Sequence, residues 1–350
     1  MKKLIPALGV ALIAIAGVAT TVAQGHARAS VDVCVLLPDT KSSVRWEQFD
    51  RPLIGAALKK AGVSNVVNNA QGDAQKQRDQ ADQCLANGAK VLILTQLDAG
   101  SAIAIQKAAA AKGAKSIDYD RQVIGGIGQV YVSFDNHAVG VLQGKGVVAG
   151  LKANGKYGSK PVVAELNGGQ EDGNSFLFKG GYDSILKPLY ARGVFKKGPD
   201  QFVPGWDNQK ARTIFEQMLV KTGNKIDAVA AANDGLANAV VTALKAKKLK
   251  PIPLSGQDAT AQGVQNIISG WQTMTVWKDT RILATRSAEA AIALAKGQAP
   301  KRTGVVKNGT KVLPAFIIPP VSITKANYQQ LFNGYLKKSE VCRGEYKQYC

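Results

Sequence analysis

The chain has 350 residues, 45% of them hydrophobic, which is more than one ordinary core holds, suits two domains, and excludes a disordered or low-complexity protein. Its formal net charge is +20, but the basic residues are spread over solvated stretches such as KAKKLK (245–250), with no basic stripe interleaved with aromatics, so no nucleic-acid partner is expected. The surplus suits an acidic extracytoplasmic habitat or docking on an acidic surface.

Residues 1–29 read as a signal peptide. Lys2 and Lys3 precede an apolar stretch from Leu4 to Val22, and Ala27-Arg28-Ala29 puts small residues where a signal peptidase reads them. The expected destination is the periplasm, with cleavage near Ala29. Export turns the four cysteines, none in a CxxC spacing, into a disulfide framework. Cys342 is expected to pair with Cys350 in the tail, and Cys34 on the first strand with Cys84 on the second helix. With His137 the one histidine beyond the leader and no zinc spacing among the cysteines, neither metal nor cofactor is expected.

From Val31 short β-rich runs alternate with amphipathic stretches, the mark of βαβ units and parallel sheets. VCVLLP (33–38) is a strand and 46–62 a helix; NVVNNA (65–70) and VLILTQ (91–96) are strands around a helix at 73–87; KSIDYD (115–120) and YVSFDN (131–136) follow. Gly62, Gly88 and Gly113 supply left-handed C-terminal caps. A helix over 138–152 leads to a second series, with strands at 161–166, 200–204, 226–232, 252–256 and 273–277, and helices at 174–192, 208–222, 235–247 and 259–269. A strong helix over 281–297 precedes turn-rich and strand-like sequence. The fold class is α/β: two similar Rossmann-like lobes, each a parallel sheet flanked by helices, joined by a hinge of several short crossings. The expected division is 30–137 with about 279–300 for the N-terminal lobe, and 138–278 with about 301–350 for the C-terminal lobe and tail.

Five apolar runs end in polar clusters: SIDYDR (116–121), VVAELNGGQEDGN (162–174), AVAAAND (228–234), PLSGQD (253–258) and TMTVWK (273–278). Ligands of open α/β sheets bind at the carboxyl ends of the strands, so these clusters surround one crevice. The first strand–helix turn, LPDTKSSVRWEQ (37–48), has no GxGxxG, no GxxxxGK[ST] follows any strand, and GGIG (125–128) opens no helix, which excludes the usual nucleotide readings. There is no GxSxG, and His137 at an expected crossing has no partner for base catalysis. A carboxylate pair for glycoside chemistry could be drawn from Asp120, Asp172, Asp234 and Asp258, but these alternate with Arg, Lys and Asn, which hold carboxylates ionised as acceptors. Ionised Asp, donor-rich Arg, Lys and Asn, and an aromatic face together suit a hydroxylated ligand. Arg45-Trp46 offers a donor fork and a ring; Trp206 and Phe178 are further aromatic candidates, with core packing as the alternative for Trp206 and the expectation for Phe176.

IDYDR, YVSFDN, DGNSFLFKGG, KIDAVAAANDG, LSGQDA and QTMTVWK, in this order, resemble the sugar-binding proteins of bacterial ABC importers of the ribose-binding type, most closely their D-xylose-binding members, over the chain to about residue 300. The resemblance implies a non-enzymatic, hinged receptor of the periplasmic binding protein type I fold that delivers a monosaccharide, D-xylose first, to a membrane ABC permease. It leaves glucose, galactose, arabinose, ribose or inositol as alternatives, an exported glycosidase as a remoter one, and a chemoreceptor as a second partner of the expected monomer. Carried over position by position, the ligand contacts are Arg45, Trp46, Asp120, Arg121, Asn174, Asn233, Asp258 and Lys278, to which Phe178 is added as the aromatic candidate. Lys179 stands where the pattern has Arg; as a point donor it cannot reproduce a planar bidentate contact, so there the xylose assignment is weakest. The tail over 338–350 has no counterpart in the pattern.

Overall fold

The computed structural model describes Met1 and residues 31–350; the expected signal peptide lies, Met1 apart, outside the described residues. The chain opens with β1 (Val33–Leu37), α1 (Arg51–Lys60), β2 (Asn65–Asn69), α2 (Ala74–Ala86), β3 (Val91–Leu94), α3 (Ala99–Ala111), β4 (Lys115–Tyr119) and β5 (Val130–Phe134). It continues through α4 (Asn136–Ala153), β6 (Val162–Asn167), α5 (Gly173–Ala191), β7 (Lys196–Phe202), α6 (Asn208–Lys221), β8 (Ala228–Ala231), α7 (Asp234–Ala246), α8 (Ala261–Ile268) and β9 (Met274–Trp277). Last come α9 (Thr280–Ala295), β10 (Gly304–Asn308), β11 (Lys311–Ile318), β12 (Val321–Thr324) and α10 (Lys338–Val341).

The first sheet runs β10-β11-β5-β4-β3-β1-β2 and is parallel except for the β10–β11 hairpin. Strand β1 shows how it is built. All five residues are buried, as a parallel strand covered on both faces requires. Val33, Val35 and Leu37 pack with residues of α1 and α9, while Cys34 and Leu36 face α2 and α3, because successive strand side chains point to opposite faces. The second sheet, β7-β6-β8, is parallel and shares one core with α4 to α7. The strand expected over 252–256 shrinks to a single bridge, Val229–Leu254, directly after Pro251 and Pro253, which lack the amide a ladder needs. The strand expected at 200–204 begins earlier, at Lys196.

The boundary expected at about 301 needs correction. After α9 the chain stays with the first sheet: β11 pairs with β5 from Ala315–Tyr131 to Ile318–Phe134, burying Ala315 and Ile318 along that edge. It reaches the second lobe at β12, which pairs antiparallel with β9. The chain therefore passes between the lobes at 135–136, 278–280 and 319–320, the last at Pro319-Pro320. His137 is exposed in the first turn of α4, beside the first crossing.

Both expected disulfides form, Cys34–Cys84 joining β1 to α2 and Cys342–Cys350 closing the tail. The tail packs Tyr335, Leu336 and Val341 against α8, and Tyr335 stacks on Phe49 of the first lobe at 4.8 Å.

Candidate functional site

Polar residues follow each apolar strand because the chain must turn there and cap the next helix. Asp135, Asp172, Asp207, Asn233, Thr260 and Asp279 each accept a hydrogen bond from a backbone N–H of the helix they open. Between the two sheets the same strand ends border a cavity, partly open to solvent and about 300 Å³ with that solvent space included, lined by Ser42, Ser43, Arg45, Trp46, Asp120, Arg121, Asp172, Asn174, Phe178, Trp206, Asn233, Gln257, Asp258 and Lys278. Nine of the ten residues singled out in the sequence line it.

The tenth, Lys179, does not. Its ammonium pairs with Glu165 on β6, with Asp200 at 2.9 Å and with Asp183 at 3.6 Å. Burial works against that charge, but hydrogen bonds to Glu165 and Asp200 outweigh it and raise the ammonium's pKa. Helical geometry gives the reason: Asn174 and Phe178 are four residues apart on one face of α5, and Lys179 lies about 100° further round.

Arg45 organises the first-lobe wall. Its Nε and Nη2 donate to the two carboxylate oxygens of Asp50 at 2.9 and 2.8 Å, and Nη1 donates to Asp120 at 2.8 Å. All three side chains are buried, and Tyr119 also donates to Asp50. Burial alone would push Asp120 up, but Arg45, Lys278 and Arg121 hold it below the ordinary carboxylate value. The Arg45 guanidinium lies 4.4 Å from the Trp46 ring centre, and Trp46 donates its indole N–H to Ser42 Oγ at 2.9 Å. Asp39 shapes this loop by accepting from the Lys41 and Ser42 amides.

Several contacts cross between the lobes at the cavity and draw them together. Arg121 Nε meets Asp172 at 3.0 Å, Asn174 Nδ2 donates to the Asp120 carbonyl at 3.0 Å, Asn233 Nδ2 donates to the Ser42 carbonyl at 3.0 Å, and Ser43 Oγ donates to Asp258 at 3.0 Å. Lys278 pairs with Asp258 at 3.1 Å and lies 5.7 Å from the Phe178 ring. Asp120, Trp206 and Asp258 adopt φ of 63°, 54° and 92°, a region non-glycine residues enter at a cost and in which functional sites are enriched.

Ser42, Ser43 and Gln257 were not singled out in the sequence, although the first two precede Arg45 and the third precedes Asp258 within PLSGQD. Trp206, weighed against a core role, packs edge-on to Phe178 and lines the cavity as well. Among the described residues, the Trp206 indole N–H and Gln257 Oε1 are buried without a hydrogen-bond partner. Such groups are costly unless something bonds to them. The set holds carboxylate acceptors, forked and point donors and aromatic walls, the combination that grips a neutral polyhydroxylated molecule.

Residues 33–299 match the family described as the periplasmic binding protein domain. The chain belongs to the periplasmic binding protein family. This periplasmic binding protein is 34% identical over 303 residues to the D-xylose-binding periplasmic protein of Escherichia coli strain K12, covering 85% of this chain and 88% of the relative. It is also 34% identical over 363 residues to the multiple sugar-binding periplasmic receptor ChvE of Rhizobium radiobacter, covering 97% and 100%. Among solved structures, a carbohydrate transporter solute-binding protein from Chloroflexus aurantiacus in complex with D-glucose superposes with a TM-score of 0.80 at 30% identity, covering 89% and 98%.

Asp234 sits behind the cleft. Burial pushes its carboxyl up to about 7, against hydrogen bonds from Gln272 and Thr260. An unfolded chain releases that proton near 3.8, so between these values the folded state binds more protons and stability falls as pH rises. Asp234→Asn is expected to flatten this fall in melting temperature between about pH 4 and 7. Parallel profiles for wild type and variant would mean that Asp234 is already ionised in the folded protein.

Proposed function

We propose that this periplasmic binding protein captures a monosaccharide, D-xylose first, between its closing lobes and delivers it to a membrane ABC permease after export and removal of residues 1–29. The observation that carries the reading is the cavity itself, where charge-paired hydrogen-bonding groups from both lobes meet around two unpartnered buried polar atoms. Arg45, Trp46, Asp120 and Arg121 are the contacts from the first lobe; Asn174, Phe178, Trp206, Asn233, Asp258 and Lys278 are those from the second. A ligand drives closure only by binding the closed state better, and contacts from both lobes provide that preference. The relatives named for xylose and for multiple sugars support the sugar class. D-glucose is the second reading, favoured by the neighbour that holds it.

Thermal shift against D-xylose, D-glucose, D-galactose, L-arabinose, D-ribose and myo-inositol tests this. At a hundredfold excess over Kd, a native-state ligand adds about 2.7 kcal/mol, worth roughly 4 °C in a chain of this size. A panel without any shift overturns the sugar reading; the largest shift with another member replaces D-xylose.

A further inference from the structure

We propose that the receptor also takes a sugar longer than one ring, holding one ring in the inner cavity and a glycosidically linked second ring in an outer cavity beside it. The proposal rests on the monosaccharide reading of the inner cavity. The outer cavity opens to solvent and, with the adjoining solvent space included, spans about 1,410 Å³ against 300 Å³ for the inner one. Ser42, Ser43, Asn233 and Asp258 line both, so the two are neighbours across a single partition.

That partition is thin. Two of its elements are the cross-lobe hydrogen bonds from Asn233 Nδ2 to the Ser42 carbonyl and from Ser43 Oγ to Asp258, each 3.0 Å. A hydroxyl beside a glycosidic oxygen can replace such bonds, since it both donates and accepts.

The chemistry of the outer wall selects the ligand class. Its side chains include the neutral amides of Gln48, Asn208, Gln209, Asn238 and Gln262, which pair with hydroxyls and demand no charge. The cations there, Lys41 and Arg343, are offset by the carboxylates of Asp207 and Asp258. The lining is therefore balanced and does not select an anion, although helices α6, α7 and α8 all begin beside it. Gln48 comes from the first lobe and the other four amides from the second. A second ring would bridge the lobes as the first does and favour the same closed state.

Arg343 comes from the tail, beyond the residues that match the family. Gln265 donates to the carbonyls of Glu340 and Val341, and the Cys342–Cys350 bond closes the loop that carries Arg343. The tail thus completes a wall of the outer cavity, which gives this otherwise unassigned segment a role in ligand selection.

Calorimetry with two matched pairs, D-xylose with β-1,4-xylobiose and D-glucose with cellobiose, tests the proposal. Wild type is expected to bind one monosaccharide and its disaccharide. Gln262→Trp, which fills the outer cavity from an exposed position, should weaken the disaccharide at least about tenfold and leave the monosaccharide within about twofold. Arg343→Ala should act in the same direction. Binding of the monosaccharide without its disaccharide, or disaccharide affinity unmoved by both variants, overturns the outer site and leaves the inner reading standing. Failure of both monosaccharides instead overturns the inner reading on which the proposal rests.

Discussion

Asp258→Ala is expected to weaken sugar binding by about 2–5 kcal/mol, roughly 30- to 5,000-fold in Kd. The size follows from where the carboxylate sits. Asp258 and Lys278 are each about 5% exposed and pair at 3.1 Å, and Ser43 reaches the same carboxylate from the opposite lobe. Removing Asp258 takes away an acceptor, leaves the Lys278 ammonium buried without its partner, and breaks one of the contacts that hold the lobes together. Leaving a buried charge unpaired is the larger part of such a loss. Asp258→Asn keeps the shape and one acceptor oxygen and should fall between wild type and alanine. Calorimetry with the sugar that gives the largest thermal shift measures all three proteins; equal affinities would remove Asp258 from the site.

Arg45→Ala is expected to act on the fold as well as on binding. Arg45 is the hub between Asp50 and Asp120, all three buried, with Tyr119 hydrogen-bonded to the same Asp50. Its removal strands two carboxylates in the first-lobe core, and breaking a buried pair in this way costs about 3–5 kcal/mol. For a chain of this length that is a fall in melting temperature of roughly 4–7 °C. Arg45→Lys keeps the charge but cannot span both carboxylates with a planar fork, so it should recover only part of the loss. A melting temperature for Arg45→Ala within a degree or two of wild type would mean that Asp50 and Asp120 are held by other groups or take up protons at little cost.

Much of the site was legible before any coordinates. Arg45-Trp46, Asp120-Arg121, Asn174, Asn233, Asp258 and Lys278 all follow strand-like runs, and the ends of parallel strands on one side of a sheet must converge. Lys179 was misplaced because adjacency in sequence is not adjacency on a helix. Position 178 shares a face with 174, whereas 179 turns toward β6 and meets Glu165. Gln257 and Ser42 carried no signal of their own; a neutral amide and a hydroxyl beside charged residues look like ordinary loop composition.

Amino-acid order alone determined the alternation of strands and helices and the two-lobed α/β class, because burial patterns and caps are written locally. Tertiary structure decided what depends on distant chain segments. It sent β11 into the first sheet beside β5 before the last crossing, because Ala315 and Ile318 find their burial there. It also set Arg121 on Asp172, and Asn233 on the Ser42 carbonyl, across the cleft. Local sequence names the groups that can donate and accept; only packing fixes which of them share one dry space, and in a low-dielectric cavity that choice sets how strongly they act.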